Sequence, residues 1–303
     1  MKVFYSDRYT IELPEGHRFP MQKYKMLRQA LLDVGVLSEN ELYEAELATR
    51  EMVLLAHTEE YVDGVLHNTL PRIIQRRIGF PWSEKLVERS LATVGGAYLT
   101  ACEALESGIS GNLAGGTHHA LPDAGEGFCV FNDQAIALLQ LFKERKIERA
   151  AIVDLDVHQG NGNSAILGGR DDIFIFSMHG AKNYPFKKVP STLDVELPDD
   201  TSDDEYLTIL ENNLPAVFKS NPDIIFYQAG VDPLREDTLG RISMTKAGLK
   251  ERDRMVFKAC FSRGIPVSMA MGGGYAAPIE LTVQQHVETY KALKEVYFGE
   301  SFQ

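Results

Sequence analysis

Asp154, Asp156 and His158 stand two residues apart at the end of an apolar run, Ala150–Val157, with Leu155 and Val157 between them. Alternate side chains of an extended strand share a face, so the two carboxylates and the imidazole are expected to point together. Such a cluster is costly in a buried strand unless it is paired or holds a cation; the alternative is a strand end whose polar residues reach solvent. Gly115-Gly116-Thr117-His118-His119 offers two imidazoles after glycines that let backbone and ligand approach closely. Gln228-Ala229-Gly230-Val231-Asp232 can bring one more carboxylate, and Gly272-Gly273-Gly274-Tyr275 a hydroxyl on a glycine-rich loop. That loop lacks the Gly-Lys-Ser/Thr of a phosphate-binding loop. Jointly, Asp156, His158 and Asp232 make a three-ligand site for a divalent ion, with a position left for water. His118 and His119 then supply acid and base, and Tyr275 a donor to a developing oxyanion. These parts describe metal-assisted hydrolysis of an amide.

Each of these segments follows a short apolar run. The runs at 2–6, 150–157, 172–178, 223–229 and 265–271 are rich in Val, Ile and Phe without strict alternation, which suits parallel strands buried on both faces. Between them the pattern predicts helices near 21–34, 84–107, 133–146, 203–219, 245–262 and 278–297. Ser202-Asp203-Asp204-Glu205 reads as a capping box, and Asn132 as the cap of the helix opening at Asp133. Alternating strands and helices predict an α/β fold: one domain over 1–303, a mostly parallel central sheet flanked by helices, and the site at the carboxyl ends of the strands.

The chain has 303 residues with 31 Lys+Arg against 43 Asp+Glu, a formal charge of −12. That balance argues against a nucleic-acid partner bound through a broad basic surface. Three cysteines, Cys102, Cys129 and Cys260, share no CxxC spacing, so neither a disulfide framework nor a Cys-based zinc site is expected, and a reducing compartment fits. The first residues meet charge too soon for a secretory segment, and no apolar run approaches the ~18 residues of a membrane span. The expectation is a cytoplasmic protein with no membrane partner.

The same residues resemble the zinc-dependent histone deacetylases and their bacterial relatives, which share the arginase–deacetylase fold. The resemblance runs in order through His57-Thr58-Glu59-Glu60-Tyr61, Gly115-Gly116-Thr117-His118-His119-Ala120 and Gly127-Phe128-Cys129-Val130-Phe131-Asn132-Asp133. It continues through Asp154–Gly162, Ser177-Met178-His179, Gly230-Val231-Asp232 and Gly272–Tyr275. Gly16–Met21 and Gly115-Gly116-Thr117 look more like the class IV branch and bacterial deacetylase-like amidohydrolases than class I. The resemblance implies Zn2+ on Asp156, His158 and Asp232, His119 as general base with His118 as its partner, and Tyr275 on the scissile carbonyl. It implies that Asp154 orients His118 from behind. Asn161 falls where class I members carry the aspartate behind His119; a neutral amide there would raise the pKa of His119 less.

The family's acyl-lysine tunnel is lined by aromatics: Gly127 and Phe128 match one wall, Tyr184 and Phe186 fall where the opposite wall is expected, and Leu239 near the rim. A structural K+ is implied on Asp154, Asp156, His158, Ser177 and the Met178 carbonyl. The implied activity is hydrolysis of acetyl or longer fatty acyl groups from the ε-amine of lysine in proteins or peptides. The same donor set accepts Fe2+. Two alternatives stay open: a small-molecule amidohydrolase such as an acetylpolyamine deacetylase, and a metal-binding or acyl-lysine-recognising module without catalysis. An acetylpolyamine enzyme needs an acidic mouth, for which Glu12, Glu15 and Glu84 are candidates. An acidic rim would equally favour lysine-rich peptides.

Overall fold

The structure, a computed structural model, describes residues 1–302. Its strands are β1 (Val3–Tyr5), β2 (Leu42–Glu44), β3 (Ile109–Asn112), β4 (Ala150–Asp154), β5 (Ile173–Gly180), β6 (Leu193–Leu197), β7 (Ile224–Gln228) and β8 (Val267–Ala270). They form one sheet in the order β2-β1-β3-β8-β7-β4-β5-β6, and every pairing is parallel. Helices cover both faces. In β4, Ala150 and Ile152 pack into one apolar cluster while Ala151 and Val153 pack into the other; Ile224, Phe226 and Ile225, Tyr227 divide in the same way in β7. Burial on both faces is why these strands read as continuous apolar runs. Each fully buried Ile, Val or Phe among them stabilises the fold by roughly 1.5–3 kcal/mol.

The six expected long helices form at Lys23–Asp33, Glu84–Ser107, Asp133–Lys143, Asp203–Lys219, Lys246–Phe261 and Ile279–Phe298. The capping box at Ser202 and Glu205 is present, and Asn132 Oδ1 accepts from the Ala135 N–H at 3.0 Å. Three strands were not expected. β2 is a three-residue edge, and β6, Leu-Asp-Val-Glu-Leu, alternates because it is half exposed. β3 is buried yet reads Ile-Ser-Gly-Asn, with no apolar run to find. Gly111 is required there, since a Cβ would stand 2.5 Å from the Tyr290 hydroxyl.

The run at 150–157 is strand only as far as Asp154, which corrects the expectation that Asp154, Asp156 and His158 share one strand face. Leu155 N–H still donates to the β7 carbonyl of Gln228. Beyond it, the Asp156 N–H turns back to Asp154 Oδ1 at 3.2 Å and the Val157 N–H to Asp232 Oδ1 at 2.8 Å. The backbone donors leave the ladder for carboxylates. Leu155 and Val157 do point into the apolar core.

Candidate active site

Four neighbouring strands, β3, β8, β7 and β4, end side by side, and each opens into one of the segments singled out from sequence. β3 leads to Gly115–His119, β8 to Gly272–Tyr275, β7 to Gly230–Asp232 and β4 to Asp156–His158. The first loop is tied by Asp133, whose carboxylate accepts from the N–H groups of Gly116 and Thr117 at 2.8 Å each and from Thr117 Oγ1 at 2.8 Å. Gly115 and Gly116 have φ of 86° and 81°, and a Cβ on Gly115 would lie 2.5 Å from Asp133 Oδ2. Only glycine allows both the left-handed turn and the close approach.

His158 Nδ1 lies 3.1 Å from Asp156 Oδ1 and 3.0 Å from Asp232 Oδ2. These three donors lie within 4.8 Å of one another, all buried, the only such group of three among the described residues. The Gly273 N–H donates to Asp156 Oδ2 at 2.7 Å and so aims the carboxylate. Burial works against a charge on His158, but Asp156 and Asp232 hold its pKa up to about 10. Burial and then Asp156 push Asp232 up to about 7. Two carboxylates around one imidazole concentrate negative charge in a buried place, and a divalent ion would balance both carboxylates. The chain also keeps room beside the donors: a Cβ on residue 273 would stand 2.0 Å from Asp232 Oδ2. The donor set and the glycine cradle fit a metal ion with an open position.

His118 Nδ1 is 2.8 Å from Asp154 Oδ2, and His119 Nδ1 is 2.7 Å from Asn161 Oδ1. The two rings lie 4.2 Å apart between centroids. Burial opposes charge on His118, yet Asp154 and Asp156 raise it to about 9. His119 is held well below the ordinary histidine value by burial, then by the positive His118 and His158.

Three residues absent from the sequence reading, and a fourth read there only as a helix start, support these side chains. Asn161 Nδ2 donates to Glu126 Oε1 at 2.8 Å, and Glu126 is in turn ion-paired with Arg77. Asp237 accepts from the Tyr275 N–H at 2.6 Å and from the N–H groups of Leu239 and Gly240 at 2.8 and 2.9 Å. Arg252, fully buried, donates to the carbonyls of Leu155 and Gly230 and so braces two of the loops from below. Asp133 is the fourth, in the Asn-Asp pair that opens its helix. Glu126 and Asp237 each sit beside a quoted motif, but only their positions in space give them partners. His57, by contrast, is structural: it contacts the Leu121 carbonyl and accepts from the Asn132 N–H.

Gly127, Phe128, Tyr184, Phe186, Leu239, His119, His158 and Tyr275 line one cavity of about 550 Å³. Phe186 is 90% exposed and forms its outer lip rather than a wall. Phe128 sits at φ 66°, an unusual position for a bulky residue. Its N–H and that of Gly127 are held by the carbonyls of Ile78 and Arg77. The charged residues of this lining are Arg18, Arg77, Lys182 and Arg241, with no carboxylate among them. Glu12, Glu15 and Glu84, the candidates for the acidic mouth that an acetylpolyamine enzyme needs, are exposed and stand outside this lining, whose charged rim is basic. A total charge carries no information about where its members stand. A smaller cavity of about 40 Å³ is lined by His118, His119, Asp156, His158 and Tyr275 together with Phe19, Phe128, Lys23 and Arg89.

The family described as Histone deacetylase domain matches residues 17–290. The chain is 44% identical to an uncharacterized protein of Picosynechococcus sp. over 296 residues, 97% of this chain and 99% of that one. It is 29% identical to Histone deacetylase 2 of Arabidopsis thaliana, covering 95% of this chain and 78% of the relative. A solved structure of an HDAC homolog from Aquifex aeolicus superposes with a TM-score of 0.80 at 22% identity, covering 99% of this chain and 89% of that one. No helix among the described residues is long and apolar enough to cross a membrane.

Proposed function

The chain belongs to the histone deacetylase family, and on that premise we propose that it removes short acyl groups from the ε-amine of lysine in proteins or peptides. The observation that carries this reading is one cavity, open to the surface, lined at once by His119, His158 and Tyr275. Asp156, His158 and Asp232 would hold a divalent ion, zinc or Fe(II), which acidifies a water molecule and polarises an acyl carbonyl. Asn161 Oδ1 accepts a hydrogen bond from the Nδ1–H of His119, which leaves Nε2 free to accept a proton from the attacking water. The depressed pKa keeps His119 a free base at neutral pH. His118, raised to about 9, stays protonated beside it and stabilises the negative charge that develops. The Tyr275 hydroxyl, raised by burial well above its ordinary value, keeps its proton and donates it to the carbonyl oxygen as a hydrogen bond. Oxygen from water joins the carbonyl carbon, the C–N bond breaks, and the lysine amine leaves with a proton returned through the imidazoles.

Lys23 and Arg89 suit the other product. Both are buried, and neither has a carboxylate partner among the described residues: Lys23 Nζ donates to the Gly274 carbonyl, Arg89 to the Tyr9 carbonyl and the Tyr24 hydroxyl. Two such cations beside the reacting carbonyl favour the carboxylate that hydrolysis releases. The inner cavity, about 40 Å³, shares its walls with Asp156 and His158. Its small volume favours a short acyl group over a fatty chain. An acyl-length series on one lysine peptide, run beside N-acetylated polyamines, is therefore expected to give kcat/KM highest for acetyl and propionyl. The expected drop by octanoyl is at least about tenfold, in line with the cost of overfilling a packed site. The basic mouth repels a polyamine's second ammonium group, so acetylpolyamine turnover is expected to be the slower. Equal or faster turnover of polyamines would move the proposal to the small-molecule reading.

Asn161 has a second neighbour that explains its neutrality. An aspartate at 161 would set a carboxylate against Glu126, whereas the amide accepts from His119 and donates to Glu126. Asn161→Asp should raise the pKa of His119, because the new charge favours imidazolium. The acidic limb of the kcat/KM profile then moves to higher pH, and activity at about pH 6 falls more than at about pH 8. A limb that stays in place counts against His119 as the base. Asp154 and Ser177, paired in the β4–β5 register, together with Asp156, His158 and the Met178 carbonyl, are the residues we assign to a structural potassium ion.

A further inference from the structure

We propose that the mouth selects acyl-lysines that lie in acidic sequence, an inference that rests on the lysine deacylase reading and adds the charge of the substrate's flanks. The chain as a whole carries an excess of 12 negative charges. Against that background every charged side chain that the wide cavity borrows from its rim is a cation: Arg18, Arg77, Lys182 and Arg241. They come from four separate parts of the chain, the segment before the first helix, the helix Arg72–Ile78, the loop after β5 and the loop after β7.

Two carboxylates stand behind these cations and neutralise them in part. Glu126 pairs with Arg77, and Asp199 is shared between Lys182 Nζ at 3.3 Å and Arg241 Nη1 at 3.0 Å. Neither carboxylate belongs to the cavity lining. The mouth keeps an excess of two positive charges. Arg18 is exposed and makes no ion pair among the described residues. Lys187, next to the outer lip at Phe186, is likewise exposed and unpaired.

A peptide that places its acyl-lysine in the tunnel lays its neighbouring residues across this rim. Asp or Glu at those positions meets Arg18 and the guanidinium of Arg241, while Lys or Arg meets like charge. Arg is suited to this role, since its planar donors match a carboxylate in bidentate fashion. The contacts are exposed, so they act through steering and weak pairing, and salt screens them.

The test uses three acetyl-lysine peptides that differ only in their flanks: acidic, serine and basic. Hydrolysis by the metal-loaded protein is read as kcat/KM at low and high salt. The expected order is acidic, then neutral, then basic, with a spread of at least about fivefold at low salt that shrinks toward unity at about 0.5 M. Arg18→Glu, at a position without an ion pair to lose, should narrow or invert the acidic-to-basic ratio, whatever its absolute rate. The salt series on the unaltered protein decides the matter if that variant does not fold. One rate for all three peptides, or a preference for basic flanks, overturns this proposal alone. Hydrolysis of none of them overturns the deacylase reading and this proposal with it.

Discussion

Tyr275→Phe is expected to lower kcat by about 10²–10³-fold, the usual cost of one lost oxyanion donor, with KM nearly unchanged. The clamps on Tyr275 are backbone clamps: its N–H goes to Asp237, and its carbonyl accepts from the Thr238 hydroxyl at 2.7 Å. Its ring packs against Phe19 and Phe128 with centroids 6.0 and 6.3 Å away, and the Lys23 ammonium lies 5.0 Å from its centre. Phenylalanine keeps all of these. Only the hydroxyl goes, and it acts where charge develops in the transition state. Loss in kcat without loss of binding is the signature of such an interaction. Single-turnover rates and thermal melting measured together check it. Equal rates for the two proteins would remove Tyr275 from the mechanism.

Asp232→Asn should have a still larger effect on activity and an opposite one on the metal-free fold. Losing an outer hydrogen-bond partner of a metal site costs about 10–100-fold; losing a ligand is expected to exceed that, on the order of 10³-fold. Removing the ion with a chelator should abolish activity likewise, and zinc should restore it in the unaltered protein only. In the metal-free state, however, Asp232 and Asp156 crowd one imidazole, at 3.0 and 3.1 Å. Neutralising one of two like charges relieves their repulsion. The variant's metal-free melting temperature is therefore expected to match or exceed that of the unaltered protein, and the rise on adding zinc to vanish. Differential scanning calorimetry with and without zinc, alongside metal content by mass spectrometry, reads both effects. A full zinc-dependent rise in the variant would take Asp232 out of the ligand set.

The sequence disclosed the parts of this molecule that are locally encoded. β4 and β7 are buried on both faces and so announce themselves as apolar runs. The helix at Asp203 announces itself through its capping box. β3 does not, because Ser110, Gly111 and Asn112 are buried for reasons supplied by Tyr290 and other residues far along the chain. The metal-ligand candidates were legible because two of them share one short motif. Glu126 and Asp237 were not, since a carboxylate that braces an amide or a backbone N–H looks like any other until its partner is in place. The charge of the mouth was not legible either. Charge counted along a chain has no direction, and the gathering of Arg18, Arg77 and Arg241 at one rim depends on two loops and a helix far apart in the chain.

The strand order also makes one strand the keystone of the sheet. β2, β1 and β3 form one half of the sheet and β7, β4, β5 and β6 the other; β8 alone joins them, paired with β3 on one side and β7 on the other. β8 is the last strand of the chain, and Tyr275 follows it directly. β8 thus supplies all the ladder hydrogen bonds that hold the β3 side of the sheet, which leads to His118 and His119, against the β7 side, which leads to Asp232. A change that loosens β8 is expected to shift the Tyr275 loop and the spacing of the two halves together.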